Sequence, residues 1–344
     1  MKKILIALIA LCSTFGVAEF SQDLLGYRPG WLVFLSLYLL FYGFIHWAMH
    51  SKEPQTESFP NDKAPDRSGW PLSGPWTRLG PVTGGLLFMM PFSLTSLMSV
   101  ISPFQCAQMI RQIRGNERLK KLERQTGQNG TEYRTKATYR LPFDGEWLVF
   151  NGGRTPMTSH SWDVLGQRFA LDFVQADSEF RRHRGRGTRL DDYYCYDRPI
   201  LAAADGTVVA VENRISAAPF VGLGFCDFLA RNFVGNHVMI QHADGEYGLY
   251  AHLVKGGVSV RPGEVVKQGQ MIGRCGHTGH SSEPHLHFHL QDSADLFGGM
   301  GLPVDFDAIE IDRHFESAGY VHAGQRVRNS ASIHPCNNSP LPCD

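Results

Sequence analysis

The sequence has no net charge. Its 33 lysines and arginines balance 33 aspartates and glutamates, so nothing marks the chain as a nucleic-acid binder or a partner for acidic surfaces. It has no internal repeat and no long low-complexity tract. Charge is also missing locally: Ile4 to Ala18, Trp31 to Met49 and Pro81 to Ile110 contain no Asp, Glu, Lys or Arg. These runs show no amphipathic period either, which argues against buried helices of a water-soluble core.

What the runs offer instead is membrane length. Residues 4–18 follow Lys2 and Lys3 and read as a signal-peptide core or a first span, with Gly16-Val17-Ala18 as a cleavage site. Residues 31–49 have the length of a span and carry aromatics at both ends. Residues 82–104 read as a further span. The loop 50–80 carries Lys52, Lys63, Arg67 and Arg78 and fits the cytoplasmic side. Everything after residue 110 then falls outside, whether or not the first segment is removed. The basic stretch RQIRGNERLKKLER that follows the third run disagrees, since it favours the inside. The expectation is an inner-membrane protein with its C-terminal part on the periplasmic (extracytoplasmic) side, where disulfides persist. Five of the seven cysteines lie in that part, an odd number, and Cys336 and Cys343 suit a short-loop pair.

The organisation expected is a membrane region 1–110, a charged linker 111–134, a β-rich domain 135–312 and a polar, cysteine-bearing tail 313–344. In the third of these, short β-rich runs alternate with Asp-Gly and Pro-Gly turns, as in PILAAADGTVVAVE and NHVMIQHADGEYGLYAHL. This spacing predicts a mostly β, antiparallel two-sheet sandwich or barrel-like domain behind transmembrane helices. Residues 175–195 interrupt it with the basic run Arg181 to Arg189, which reads first as a solvated loop and second as a binder of anionic wall polymers.

The chemistry concentrates in SSEPHLHFHL. Leu286 and Phe288 alternate with His285, His287 and His289, so a strand here presents three imidazoles on one face. A catalytic zinc site takes three protein ligands from His and Asp/Glu and keeps one position open. Upstream, His160 and Asp172 are the favoured partners. Asp172 sits in FALDF, opposite Phe169, Leu171 and Phe173, where a carboxylate needs a partner. Asp163 is the alternative to Asp172. His252, in GLYAHL, ends an apolar run.

PGEVVKQGQMIGRCGHTGHSSEPHLHF, with the two preceding blocks, resembles the lysostaphin-like (LytM-type) zinc metallopeptidases that cut peptidoglycan peptides. The resemblance covers roughly residues 140–305. It implies zinc held by His160, Asp172 and His287, with His285 and His252 as catalytic histidines; general acid–base chemistry gives His285 the base role and His252 the oxyanion role, or the reverse. The resemblance also implies a peptidoglycan peptide as substrate. Two departures stand out: His160 and Asp172 are separated by eleven residues rather than three, and His289 replaces an acidic or amide residue. A hairpin inserted between the two ligands would keep their geometry. A catalytically silent scaffold or activator of the same fold is the alternative. VRPGEVVKQGQMIG also resembles a half-motif of lipoyl or biotinyl carriers, but no lysine sits on the required turn.

Overall fold

The computed structural model describes residues 38, 65–67, 70–79, 81–99, 101–127 and 131–330. The chain divides into two compact units, Met1–Pro60 and Asn61–Asp344, and every described residue except Tyr38 belongs to the second. The expected segments at 4–18 and, Tyr38 apart, 31–49 lie outside the described residues, as does the Cys336–Cys343 pair.

Val, Ile and aromatic residues favour extended backbone, and the glycine turns between them end each run. The strands are β1 (Trp147–Asn151), β2 (Leu171–Val174), β3 (Pro199–Leu201), β4 (Gly206–Glu212), β5 (Asn236–Ala243), β6 (Glu246–Leu253), β7 (Val265–Val266), β8 (Met271–Arg274), β9 (Leu286–Gln291), β10 (Gly301–Leu302), β11 (Phe306–Ile311), β12 (His314–Gly319) and β13 (Arg326–Asn329). One 11-stranded sheet runs β12-β11-β13-β1-β2-β9-β6-β5-β4-β7, with β10 on β9, and β3 pairs with β8 in a second sheet. All of these pairings are antiparallel. The small sheet contributes Ile200 and Ile272 to the core formed by Trp147, Phe173, Tyr250 and Phe288 of the large one. Leu286, Phe288 and Leu290 are at most 1% exposed, and each such side chain contributes roughly 1.5–3 kcal/mol. The opposite faces of β2, β6 and β9 are thereby fixed toward the functional cleft.

The sheet runs on through β13, beyond the boundary expected at residue 312. β13 pairs with β1 and β11 on either side, while β12 is an edge strand whose exposed polar residues hide its place in the fold.

The run 82–104 is not one straight helix. It forms α1 (Pro81–Met98) and the start of α2 (Pro103–Thr126), bent by 87°. Among the described residues, no single helix is long and apolar enough to cross a membrane, though the bent pair passes together. Ser102 caps α2 by accepting from the Gln105 N–H, Pro103 sits in its first turn, and Gly127 ends it with a left-handed φ of 70°. The expected linker is thus mostly helix, and it is docked. Asn116 Nδ2 donates to the Asp163 carbonyl, and Arg168 pairs with Glu123 at 3.0 Å.

Residues 65–79 are held by the β-domain as well. Arg67 donates to the Phe150 carbonyl at 2.6 Å and to Asn151 Oδ1 at 3.0 Å, and Ser73 meets the Tyr193 hydroxyl at 2.8 Å. The placement of loop 50–80 and the domain on opposite sides of a membrane therefore fails for this part of the loop.

Candidate metal centre and cleft

β2 and β9 are neighbours, and their register sets Asp172 directly across from His287. His287 Nδ1 lies 2.9 Å from Asp172 Oδ1, and His160 Nε2 lies 3.5 Å from Asp172 Oδ2. The donor atoms of His160, Asp172 and His287 all fall within 4.8 Å of one another, so these three could hold one metal ion. The eleven-residue separation is bridged by turns and a short 3-10 segment, Leu165–Gln167, rather than by a hairpin. Asp163 is exposed and stands outside the cluster.

Asp172 is 6% exposed, and burial alone would raise its pKa. The facing His160 ring, the His287 hydrogen bond and His285 outweigh burial and hold the carboxyl well below its usual range. Asn151 Nδ2 adds a hydrogen bond of 2.9 Å to Oδ2.

A hydrogen-bonded line along β9 fixes the protons. Gln291 Nε2 donates to the carbonyls of Ser293 and Asp295, so its Oε1 faces His289. His289 is buried and its pKa is pushed down to about 3, chiefly by burial and then by His287, which keeps the ring neutral. Its Nε2–H donates to Gln291 at 2.9 Å, leaving Nδ1 as an acceptor for His287 Nε2–H, also at 2.9 Å. His287 Nδ1 is left with a lone pair facing a carboxylate oxygen. Two acceptors at that distance repel unless a cation or proton sits between them. The donor set therefore fits a metal ion, and His289 orients His287 rather than joining it.

The two remaining histidines stand beside this centre, with ring centroids 4.6 Å apart. His252 Nδ1 is 2.8 Å from the Thr278 carbonyl, and His285 Nδ1 is 2.8 Å from the Glu283 carbonyl. A carbonyl only accepts, so each neutral ring carries its proton on Nδ1 and leaves Nε2 bare. Burial, then His285 and His287, push the His252 pKa well down. The oxyanion-donor role expected of His252 is therefore closed to its neutral ring, which first has to receive a proton.

His252 reaches the cleft through a backbone exception. Tyr250 and Leu253 point into the core while Ala251 packs in a cluster apart from it, so strict alternation would send His252 inward. Its φ of 63° breaks the alternation, a strain of about 1–3 kcal/mol for a non-glycine residue. The pairing of β5 with β6 shifts register between Asn236 and Val238, next to this point.

These groups line a cleft of about 550 Å³. Its other wall includes Phe92 from α1 and Met109, Gln112 and Ile113 from α2. The insertion 175–195 is largely the solvated loop expected, with Arg181, Arg184, Arg186 and Arg189 exposed, but it is anchored to the fold. Arg182 forms a buried 2.7 Å pair with Glu283, and Arg181 and Arg189 pair with Asp177 and Asp191.

Asn151, Glu283, Thr278 and Gln291 escaped the sequence reading. The alternation along β9, continued two residues past His289, points to Gln291. Nothing local marks Asn151, which meets Asp172 only through the β1–β2 pairing.

Residues 190–297 match the sequence model described as Peptidase family M23. The cell division protein DipM of Caulobacter vibrioides is 34% identical over 107 residues, 31% of this chain and 14% of that protein. The peptidoglycan DD-endopeptidase ShyA of Vibrio cholerae is 34% identical over 92 residues, 27% of this chain and 17% of its own length. Lysostaphin of Staphylococcus simulans is 34% identical over 115 residues, 33% of this chain and 21% of its own. The chain thus spans about a fifth or less of each of these relatives. The family match contains His252, His285 and His287, whereas His160 and Asp172 lie upstream of it.

Proposed function

We propose that this chain is a membrane-anchored zinc endopeptidase that hydrolyses peptide bonds of peptidoglycan on the extracytoplasmic side of the inner membrane. The observation that carries the reading is the convergence of His160, Asp172 and His287, with the bare Nε2 atoms of His252 and His285 beside them. The match to a peptidase family and the relatives named for peptidoglycan endopeptidase activity support the substrate class.

His160, Asp172 and His287 would hold the zinc. When bound, it supplies Lewis acidity that polarises the scissile carbonyl and brings the pKa of water toward neutrality. His285, tied by Nδ1 to a carbonyl, takes the proton of the attacking water at Nε2 and returns one to the leaving amine. His252 faces the same space with a bare Nε2 and can take that proton in place of His285, and the ring that holds it becomes the donor to the developing oxyanion before passing it to the leaving amine. The low-exposure walls keep bulk water from competing for these bonds.

The test is purified full-length protein assayed for zinc and for digestion of cell-wall material. About one zinc per chain is expected for the wild type. His287→Ala should lose both zinc and hydrolysis, while His285→Ala should keep zinc and lose hydrolysis. Stoichiometric zinc with no hydrolysis of any wall preparation would turn the reading to a silent scaffold. Full activity in His287→Ala would remove the site altogether.

A further inference from the structure

Helix α1 is built the wrong way round for water. Toward the domain it turns Gly84 and Thr95, and Ser99 follows just past its end; all three are small or polar and buried. A Cβ at Gly84 would stand 2.6 Å from the Trp76 carbonyl, and Thr95 Oγ1 accepts from the Cys226 N–H at 3.1 Å. Away from the domain it presents Leu87, Met90, Leu94 and Leu97, a helical stripe of spacing three and four that Ile101 extends past the helix end. Met90 is 73% exposed, Leu94 56% and Ile101 77%. A helix in water buries its apolar stripe and exposes the polar one. Here the order is reversed, and the large apolar residues are contiguous rather than scattered.

We propose that α1 and the bend after it lie in the interfacial layer of a lipid bilayer without crossing it, so that the cleft opens at the membrane surface. Three observations choose lipid over another occupant. Pro81 to Ile110 carries no charge, so the stripe has no charged rim on its own helix, only the exposed hydroxyls of Thr83 and Ser93. The same chain carries the uncharged, span-length run Trp31 to Met49 ahead of it, which keeps the stripe within reach of a bilayer. On α2, Arg111, Arg114, Arg118, Lys120 and Lys121 follow at once, suited to anionic headgroups. The chain ends on the side it came from, since Arg67 and Ser73 before α1 and the strands beyond α2 belong to one packed unit. Phe92, on the same helix, lines the cleft, which places the proposed hydrolytic centre beside the lipid surface.

Full-length protein carrying a diazirine amino acid at Met90, Leu94 or Ile101 would be reconstituted in phosphatidylethanolamine–phosphatidylglycerol vesicles and irradiated. Lipid adducts are expected at all three positions, at least tenfold above those at Phe315, which is exposed on the edge strand β12. Met90→Glu combined with Leu94→Glu should reduce the adduct at Ile101 severalfold. Cross-links between two copies at these positions, or lipid adducts no higher than at Phe315, would overturn the proposal. The readout is lipid contact and not hydrolysis, so it stands or falls apart from the endopeptidase reading.

Discussion

Asp172, His287, His289 and Gln291 act as one unit, because each fixes the proton or charge of the next. Removing the far end should therefore be felt at the metal. Gln291→Leu leaves all three proposed ligands in place, yet frees His289 to turn and His287 to switch tautomer. Zinc affinity, read by competition with a chromophoric chelator, should fall about 10–100-fold; unchanged affinity would show that the line of bonds is idle. A second buried residue governs stability rather than chemistry. Glu246 is fully buried and accepts from the hydroxyls of Tyr133 and Tyr139 and from the N–H groups of Lys136 and Ala137. Glu246→Ala strands those donors and should cost about 2–4 kcal/mol in chemical denaturation. Glu246→Gln should cost less. At this scale the sequence was informative wherever alternation spoke for it: the histidine strand and Asp172 were legible because one apolar neighbour on each side fixed their face. Asn151 and the tautomer-setting carbonyls were not, because they come from other strands and from loops.

At the scale of elements, α2 is the surprise. Composition made it a linker, since its second half is charged and its apolar residues are few. Its hold on the domain comes from features composition does not show, namely buried Gln105 donating to the carbonyls of Asp227 and Ala230, and Asn116 bonding both Asp163 and Leu165. Gly115 is the tightest point, for a Cβ there would lie 1.7 Å from the Phe297 carbonyl. Gly115→Val should lift this part of α2 from the loop at 295–300 and open one wall of the cleft. Faster amide exchange in α2 with unchanged exchange in β9 is the expected signature, and equal exchange in both proteins would count against the docking. The strands were read well by their Gly-punctuated β-rich runs. β12 and β13 were read as tail because an edge strand and its polar neighbour do not alternate clearly.

The whole molecule carries a pH dependence to which two histidines away from the proposed ligands contribute, beside others whose pKa burial lowers. Burial pushes His242 down to about 4 and His277 down to about 3, so both are neutral in the fold. Unfolded, they titrate near about 6.5. The unfolded state thus binds more protons as pH falls below about 6.5, and stability present above that value is lost through the window toward 4 and then 3. Each group contributes up to about 1.4 kcal/mol per pH unit there. Denaturation midpoints should drop between about pH 6 and 4.5, and His277→Gln should flatten the slope by about one proton. A flat wild-type profile over that range would contradict the buried neutral state.

Because Arg67 is pinned to Phe150 and Asn151 and the chain turns back at the bend, the compartment that the cleft faces is decided entirely upstream of residue 65. Counted as crossings, the two early uncharged runs would then set that side by their parity. If both cross, the domain returns to the side on which the chain began. If only one crosses from a cytoplasmic start, it reaches the wall. Whether residues 4–18 cross at all, removed afterwards or not, would thus select the polymer, or the absence of one, that the histidines meet.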